Sequence, residues 1–285
     1  MIISQYSESH VASSRRIGDR AAFILEVIDR QGTATYEALA EKMRVSTMTV
    51  RRDCEELVRL GKIFKTIGGI QLAHAAAYLY ENPARARIAT NREEKRAIAV
   101  RALELISNRQ TIFMDGGTTN LALAKLLAAE RTGMTIVTNS ALTCLELSKG
   151  QNRIIGIGGE YDPVTLSFVG PQAEEMAKTF FVEQAILSTK GFQPADGTYE
   201  SAIATFRIKQ IIAERAVETI LLIDHTKFGR RALSKVLDIS QIHRVVTDER
   251  TRKSDLASLR RAGVKVEVAS LRPMEHPQHA AYADR

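Results

Sequence analysis

From residue 111 onward the chain alternates short, β-branched apolar runs with longer runs of helical period, and this alternation constrains its fold more than any other feature. The strand-like runs are TIFMD, MTIVTN, RIIGIGG, QAILSTKG, TILLID, HRVVTD and VKVEV, and the helix-like ones include NLALAKLLAAE, ALTCLELS, a stretch from about Thr205 to Ala216, and DLASLRRAG. Strands separated by helices cannot pair as hairpins; they join by crossovers into a parallel sheet covered on both faces. An α/β class is therefore expected. In such a sheet ligands sit beyond the carboxyl ends of the strands, and polar clusters close these runs: MDGGTTN, TNS, GGE, STKG and DHTKFG. In the first, Gly116 and Gly117 permit close backbone approach, while Thr118, Thr119 and the amides opening the next helix can hold a phosphate.

The amino-terminal part has a different period. Ile17, Ala21, Ile24, Leu25 and Ile28 recur at helical spacing, predicting a helix over 17–30 that stops near Gly32. YEALAEKM gives a second short helix with Leu39, Ala40 and Met43 on one side. Ser46 then N-caps a third helix, with Val45 and Val50 at the two positions of a hydrophobic staple. Starting that helix at Thr47 puts Val50, Cys54, Leu57 and Val58 inward and turns Thr47, Met48, Arg51, Arg52 and Glu55 outward or sideways. GKIFKTIGGI follows as a β-hairpin wing. Two helices, a tight turn and a wing suit insertion in a DNA groove, with hydroxyls and amides on phosphates and arginines on base edges or backbone. Candidate DNA contacts are Ser46, Thr47, Met48, Thr49, Arg51 and Arg52 on the helix, and Lys62, Lys65, Thr66, Gly68 and Gly69 on the wing. The plainer alternative pairs Arg51 and Arg52 with Asp53, Glu55 or Glu56 on a solvated helix.

Charge supports the first alternative. The chain carries a formal +7, and Lys42 to Lys65 holds seven basic residues against three acidic ones, a concentration that favours a polyanion. The only two cysteines, Cys54 and Cys144, read as core residues, and the six histidines show no metal-ligand spacing. No metal or cofactor is expected. No run approaches the roughly 20 apolar residues of a membrane span, and the first residues lack the apolar centre of a signal peptide, so a cytoplasmic location and no membrane partner are expected. The wing also lacks the aromatic interleaving of an RNA-stacking platform.

The run RVSTMTVRRDCEELVRLGKIFKTIGGI resembles the winged helix-turn-helix of the DeoR family of bacterial transcription regulators, in which a VS-x-x-T-hydrophobic-RRD helix leads to L-x-x-x-G and a wing ending in Gly-Gly. Cys54 stands where leucine is usual, and Ile67 where the family often has histidine. The strand-end clusters, with SFVG and Lys209, resemble the carboxyl-terminal sensor domain of the same family, which is similar in fold to ribose-5-phosphate isomerase. The resemblance covers roughly residues 15 to 270. It implies effector contacts at Asp115, Gly116, Gly117, Thr118, Thr119, Asn139 and Ser140, and at Gly158, Gly159, Lys190, Gly191, Lys209 and Lys227, with lysines on phosphate and acidic or amide groups on sugar hydroxyls. The family commonly places a glutamate four residues before the helix lysine; here that position is Thr205.

The expected organisation is a DNA-binding domain over 15–72, a linker over 73–91, an effector-sensing domain over 92–270 with its first helix from about Arg92 to Ile106, and a tail over 271–285. The expected function is repression of a sugar or polyol catabolic operon, relieved by a phosphorylated sugar or polyol, by a homodimer or homotetramer on double-stranded operator DNA. The rival is a sugar-phosphate isomerase-like enzyme with an accessory DNA-binding segment; Asp115, Glu160 and Asp224 could serve it, but no acidic cluster accompanies STKG.

Overall fold

A computed structural model describes residues 20–28, 33–59, 63–66, 68–72, 84–201 and 203–271. Lys62, Ile67 and the tail beyond Leu271 lie outside these residues. The chain divides into two compact units between Leu79 and Tyr80.

The first unit runs α1 (20–28), β1 (Thr33–Thr35), α2 (Tyr36–Met43), α3 (Thr47–Arg59), β2 (Ile63–Thr66) and β3 (Gly69–Leu72). Thr35 caps α2 by accepting the Ala38 amide at 3.2 Å. Arg44 ends α2 in the left-handed region at φ 53°, which turns the chain into α3. Ile24, Ile28, Leu39, Val50, Cys54, Ile63 and Ile70 form the core, with Val45 packed against its edge. Cys54 thus fills an apolar slot, and burial followed by the charge of Asp53 pushes its thiol up to about 11. The wing is more than a hairpin: β1 adds to it, in the antiparallel order β1-β3-β2. Three residues, TAT, are too short a run to read as a strand. Gly69 makes the addition possible, since a Cβ there would sit 2.3 Å from the Ala34 carbonyl oxygen.

Among the described residues the second unit opens with α4 (Ala84–Ala89) and α5 (Arg92–Leu103). It continues through β4 (Thr111–Met114), α6 (Thr118–Glu130), β5 (Thr135–Thr138), α7 (Ala141–Leu147), β6 (Arg153–Gly156), β7 (Glu160–Asp162), β8 (Ser167–Val169) and α8 (Pro171–Ala177). Then follow β9 (Val182–Leu187), β10 (Gly191–Gln193), β11 (Gly197–Glu200), α9 (Ile203–Ala213), β12 (Ala216–Leu222), β13 (Ser234–Asp238), β14 (Arg244–Asp248), α10 (Lys253–Arg261) and β15 (Lys265–Ala269).

Seven of these strands form a sheet in the order β15-β14-β12-β9-β4-β5-β6, parallel at every pairing. Its two faces are both buried: Phe113 joins one core cluster while Ile112 and Met114 join the other, as the period of two along a strand requires. The expected α/β class is therefore observed. Three boundaries differ from expectation. Helix α9 ends at Ala213 because β12 already begins at Ala216, α5 ends at Leu103, and α4 falls within the stretch read as linker. The antiparallel pair β7-β8 and the small sheet β10-β11-β13 are additions that the alternation did not signal. Among the described residues no helix is long and apolar enough to cross a membrane.

Strands β4, β5 and β6 advance to one side of the sheet, and β9, β12, β14 and β15 to the other. The direction reverses between β4 and β9. Loops leaving two such strands diverge and open a crevice at their carboxyl ends, which is where Asp115 and Ser188 emerge.

Candidate functional site

The surface of α3 is built from its own caps. Ser46 Oγ accepts the Thr49 amide at 3.2 Å and lies 2.9 Å from Thr49 Oγ1, so these two hydroxyls serve the helix start. Val50, Asp53, Cys54 and Leu57 face inward. Met48 is 73% exposed; Thr47, Arg51 and Arg52 are also exposed. The three acids of the helix are engaged elsewhere: Asp53 with Arg20 at 2.6 Å, Glu56 with Arg59 at 2.6 Å, and Glu55 with Lys65 at 3.1 Å. In that arrangement none of the three acids pairs with Arg51 or Arg52. The Arg51 guanidinium instead lies 4.9 Å from the centre of the Tyr36 ring, a contact that orients it without neutralising it. Lys65 shares its charge with Glu55 but stays exposed, and such surface pairs are weak enough to yield to a phosphate. Gly68 sits at φ +81° in the wing turn, whereas Gly69 is accounted for by the approach of β1. Asp53, read in the sequence as part of the RRD run and as a possible partner of Arg51 or Arg52, is buried and pairs with Arg20 instead, which the sequence did not signal.

In the second unit a pocket holding about 540 Å³ of empty space, part of it open to solvent, lies at the sheet reversal. Of the candidate effector contacts, Gly116, Gly117, Asn139, Lys190, Lys209 and Lys227 line it, joined by Arg87, Thr165, Ser167, Ser188, Thr189, Glu200 and Thr205. Four of these residues are basic and one is acidic. The glycines are needed for packing: a Cβ on Gly116 would lie 2.2 Å from Ser167 Oγ, and one on Gly117 2.0 Å from Ser188 Oγ. Gly117 also provides the N-cap of α6 with no side chain in the way. Asn139 Nδ2 donates to the Phe168 carbonyl at 3.1 Å, while its Oδ1 is buried without a partner, an arrangement that costs free energy until a donor arrives.

Two residues expected at the effector are engaged within the protein. Asp115 is buried and accepts the Gly117 amide at 2.8 Å, the Asn120 amide group at 2.6 Å and the Ser188 amide at 2.8 Å. Lys209 is held by three partners. Its ammonium lies 3.1 Å from Asp115 Oδ2, pairs with Glu200, and donates to the Ser188 carbonyl at 2.8 Å. Burial by itself would lower its pKa, but the charges of Asp115 and Glu200 outweigh burial and raise it. Lys209 therefore clamps the β4 and β9 loops together. Its second carboxylate, Glu200, comes from β11, a four-residue strand that gave no signal in the sequence, while position 205, where the family commonly has glutamate, is Thr205.

Other expected contacts stand outside the lining. Ser140 caps α7 by accepting the Thr143 amide at 3.2 Å. A Cβ on Gly159 would meet the Val169 carbonyl oxygen at 2.6 Å, and one on Gly191 the Arg230 carbonyl oxygen at 2.7 Å, so both are packing positions. Thr118 and Thr119 form the first turn of α6, and Gly158 borders open space. Lys227 is presented by a 3-10 turn, His225–Lys227, that Asp224 caps by accepting the Thr226 amide at 3.0 Å. Burial would raise the Asp224 pKa, but the charge of Lys227 and the bonds from Thr226 outweigh it and hold the carboxyl below its ordinary range.

Residues 20–76 match the family described as DeoR-like helix-turn-helix domain, and residues 90–249 match the DeoR C terminal sensor domain. The chain is 32% identical to the transcriptional repressor AccR of Agrobacterium fabrum, covering 82% of this chain and 90% of that protein. It is 33% identical to the glycerol-3-phosphate regulon repressor of Escherichia coli, covering 79% of this chain and 88% of that protein. Ribose 5 phosphate isomerase A from Neisseria gonorrhoeae superposes on 48% of this chain and 53% of its own with a TM-score of 0.36 and 15% identity, a likeness too remote to argue from.

Proposed function

The chain belongs to the DeoR family of transcription regulators, and on that premise we propose that it represses a sugar or polyol catabolic operon, releasing operator DNA when a phosphorylated sugar or polyol fills the pocket. It is a DNA-binding regulator and not an enzyme: relatives that share both of its domains are named as repressors. The isomerase-like alternative falls with that assignment.

The observation that carries the effector half is the composition of the pocket. Lys209 pairs with Asp115 and Glu200, and Arg87, Lys190 and Lys227 add three more basic side chains to the lining of a cavity that also holds the unpartnered Asn139 Oδ1. Surplus positive charge beside an acceptor that lacks a donor suits a ligand with an anionic end and a hydroxylated body. On the DNA side, Met48, Arg51 and Arg52 supply the outward surface of α3. One short helix reads few base pairs, so the proposal includes a homodimer, or a homotetramer of paired dimers, matched to a two-fold operator.

Control then works by differential binding. Moving the DNA-competent population from 99:1 to 1:99 requires the effector to prefer the other arrangement by about 5.5 kcal/mol. The test is fluorescence anisotropy of the protein on its own promoter region, titrated with triose, pentose and hexose phosphates and with the unphosphorylated compounds. Release by a phosphorylated compound alone is the expected result; operator affinity that ignores the whole series would overturn the effector half.

A further inference from the structure

Helix α4 is the first described element of the second unit, which begins at Tyr80. It is tied at both ends to elements that line the pocket. At its start, the Ala84 amide donates to the Val164 carbonyl at 2.8 Å, in the turn of the β7-β8 pair that brings Thr165 and Ser167 to the pocket wall. At its end, the buried Lys95 ammonium donates to the carbonyls of Arg87 at 2.5 Å and Thr90 at 2.6 Å, holding the helix terminus that a positive charge stabilises. Asn91 then takes the left-handed conformation at φ 49°. From there its amide group donates to Asp224 Oδ1 at 3.2 Å and to Thr226 Oγ1 at 3.4 Å, next to Lys227. Between these ties the Arg87 side chain reaches the pocket.

We propose that Arg87 is an effector-binding residue through which an anion in the pocket takes hold of α4, the helix where the chain from the DNA-binding unit enters the sensor. This rests on the reading of the pocket as an anion site. Lys190 and Lys227 are carried by strand-end loops of the sheet, whereas Arg87 rides on a six-residue helix outside it. An anion bridging Arg87 and those loops therefore adds a link between α4 and the sheet, made by the anion itself. A guanidinium fork suits that task, because it can grip two phosphate oxygens at once.

The chain has no tryptophan, so Ile88→Trp, at an exposed position beside Arg87, places the one indole on α4. The full-length protein is titrated with inorganic phosphate, against sodium chloride at equal ionic strength, and followed by tryptophan emission and by Tm. Phosphate is expected to raise Tm and shift the emission saturably. Adding Arg87→Met is expected to weaken the phosphate midpoint roughly tenfold, the loss of one charge-assisted contact, and to abolish the emission shift at saturation while part of the rise in Tm remains. Arg87→Lys should recover some of the shift. An undiminished emission shift in Arg87→Met, or a rise in Tm without any emission shift when Arg87 is intact, overturns the proposal. If phosphate changes neither signal with Arg87 in place, the anion reading of the pocket fails, and the role of Arg87 with it.

Discussion

Arg20 closes a two-pronged ion pair on Asp53, its Nε 2.6 Å from one carboxylate oxygen and its Nη2 3.1 Å from the other. The pair fastens α1 to the inner side of α3 while Arg51 and Arg52 of the same run face outward. Asp53 is buried and Arg20 only partly so. Arg20→Ala strands a buried carboxylate and should destabilise the first unit by roughly 2–4 kcal/mol, somewhat less than the loss of a fully buried pair. Urea unfolding followed by circular dichroism measures it, and Arg20→Lys, which keeps charge but not the fork, should fall between.

Arg51 and Arg52 differ from Arg20 in having no acid of α3 to neutralise them. If each grips a phosphate, Arg51→Ala and Arg52→Ala should each reduce the slope of log affinity against log salt by about 0.9. An arginine that reads a base edge instead costs about 1–3 kcal/mol, and the loss is confined to the operator sequence. Anisotropy at several salt concentrations, on operator and on random duplex, separates the two roles.

Lys209 is placed as a clamp, and a clamp behaves differently from a ligand contact when removed. Lys209→Met removes the ammonium that Asp115 and Glu200 share, and the sensor should lose roughly 3–5 kcal/mol. The double variant Lys209→Met/Glu200→Gln should regain part of it. Thermal unfolding without effector is the measurement; unchanged stability in the single variant would show that the ammonium is free for ligand.

Gly117→Ala would set a methyl group 2.0 Å from Ser188 Oγ and 2.4 Å from Ser188 Cβ. The loop must shift, at a cost of about 1–3 kcal/mol, and the hydroxyl that bonds Asp115 moves with it. Release of operator DNA by phosphosugar should disappear while binding to DNA persists, which the same anisotropy assay reads in both directions.

Asp224 gives a pH signature. Its carboxyl is held below the ordinary value, so its ionised form stabilises the folded state above about pH 4, and that contribution is lost as the pH falls through the lower folded value. Asp224→Asn should therefore lower Tm near neutrality, and the gap from the unsubstituted protein should narrow toward pH 3.

The α/β class is legible in the sequence because each parallel strand, buried on both faces, leaves an uninterrupted apolar run, and each crossover helix leaves a periodic one. The helix-turn-helix is legible for a local reason: Ser46, Val45 and Val50 encode the start of α3 within a few positions. What escapes notice depends on distance. Asp53 meets a partner 33 residues away and Lys209 meets one 94 residues back, pairings that local period cannot announce. Strands of three or four residues, such as β1 and β11, carry too few side chains to show alternation, so the source of Glu200 stays hidden. Arg87 is missed because α4 is too short to display an apolar face and was read as linker.

The reversal between β4 and β9 has an adaptive consequence. Positions such as Thr165 and Thr205 border the cavity yet take part in none of the six pairings of the seven-stranded sheet. Exchanging them alters what the chamber accepts while the scaffold keeps its shape. A lineage could acquire a new chemical trigger through a few such exchanges, and the genes under its command would stay the same.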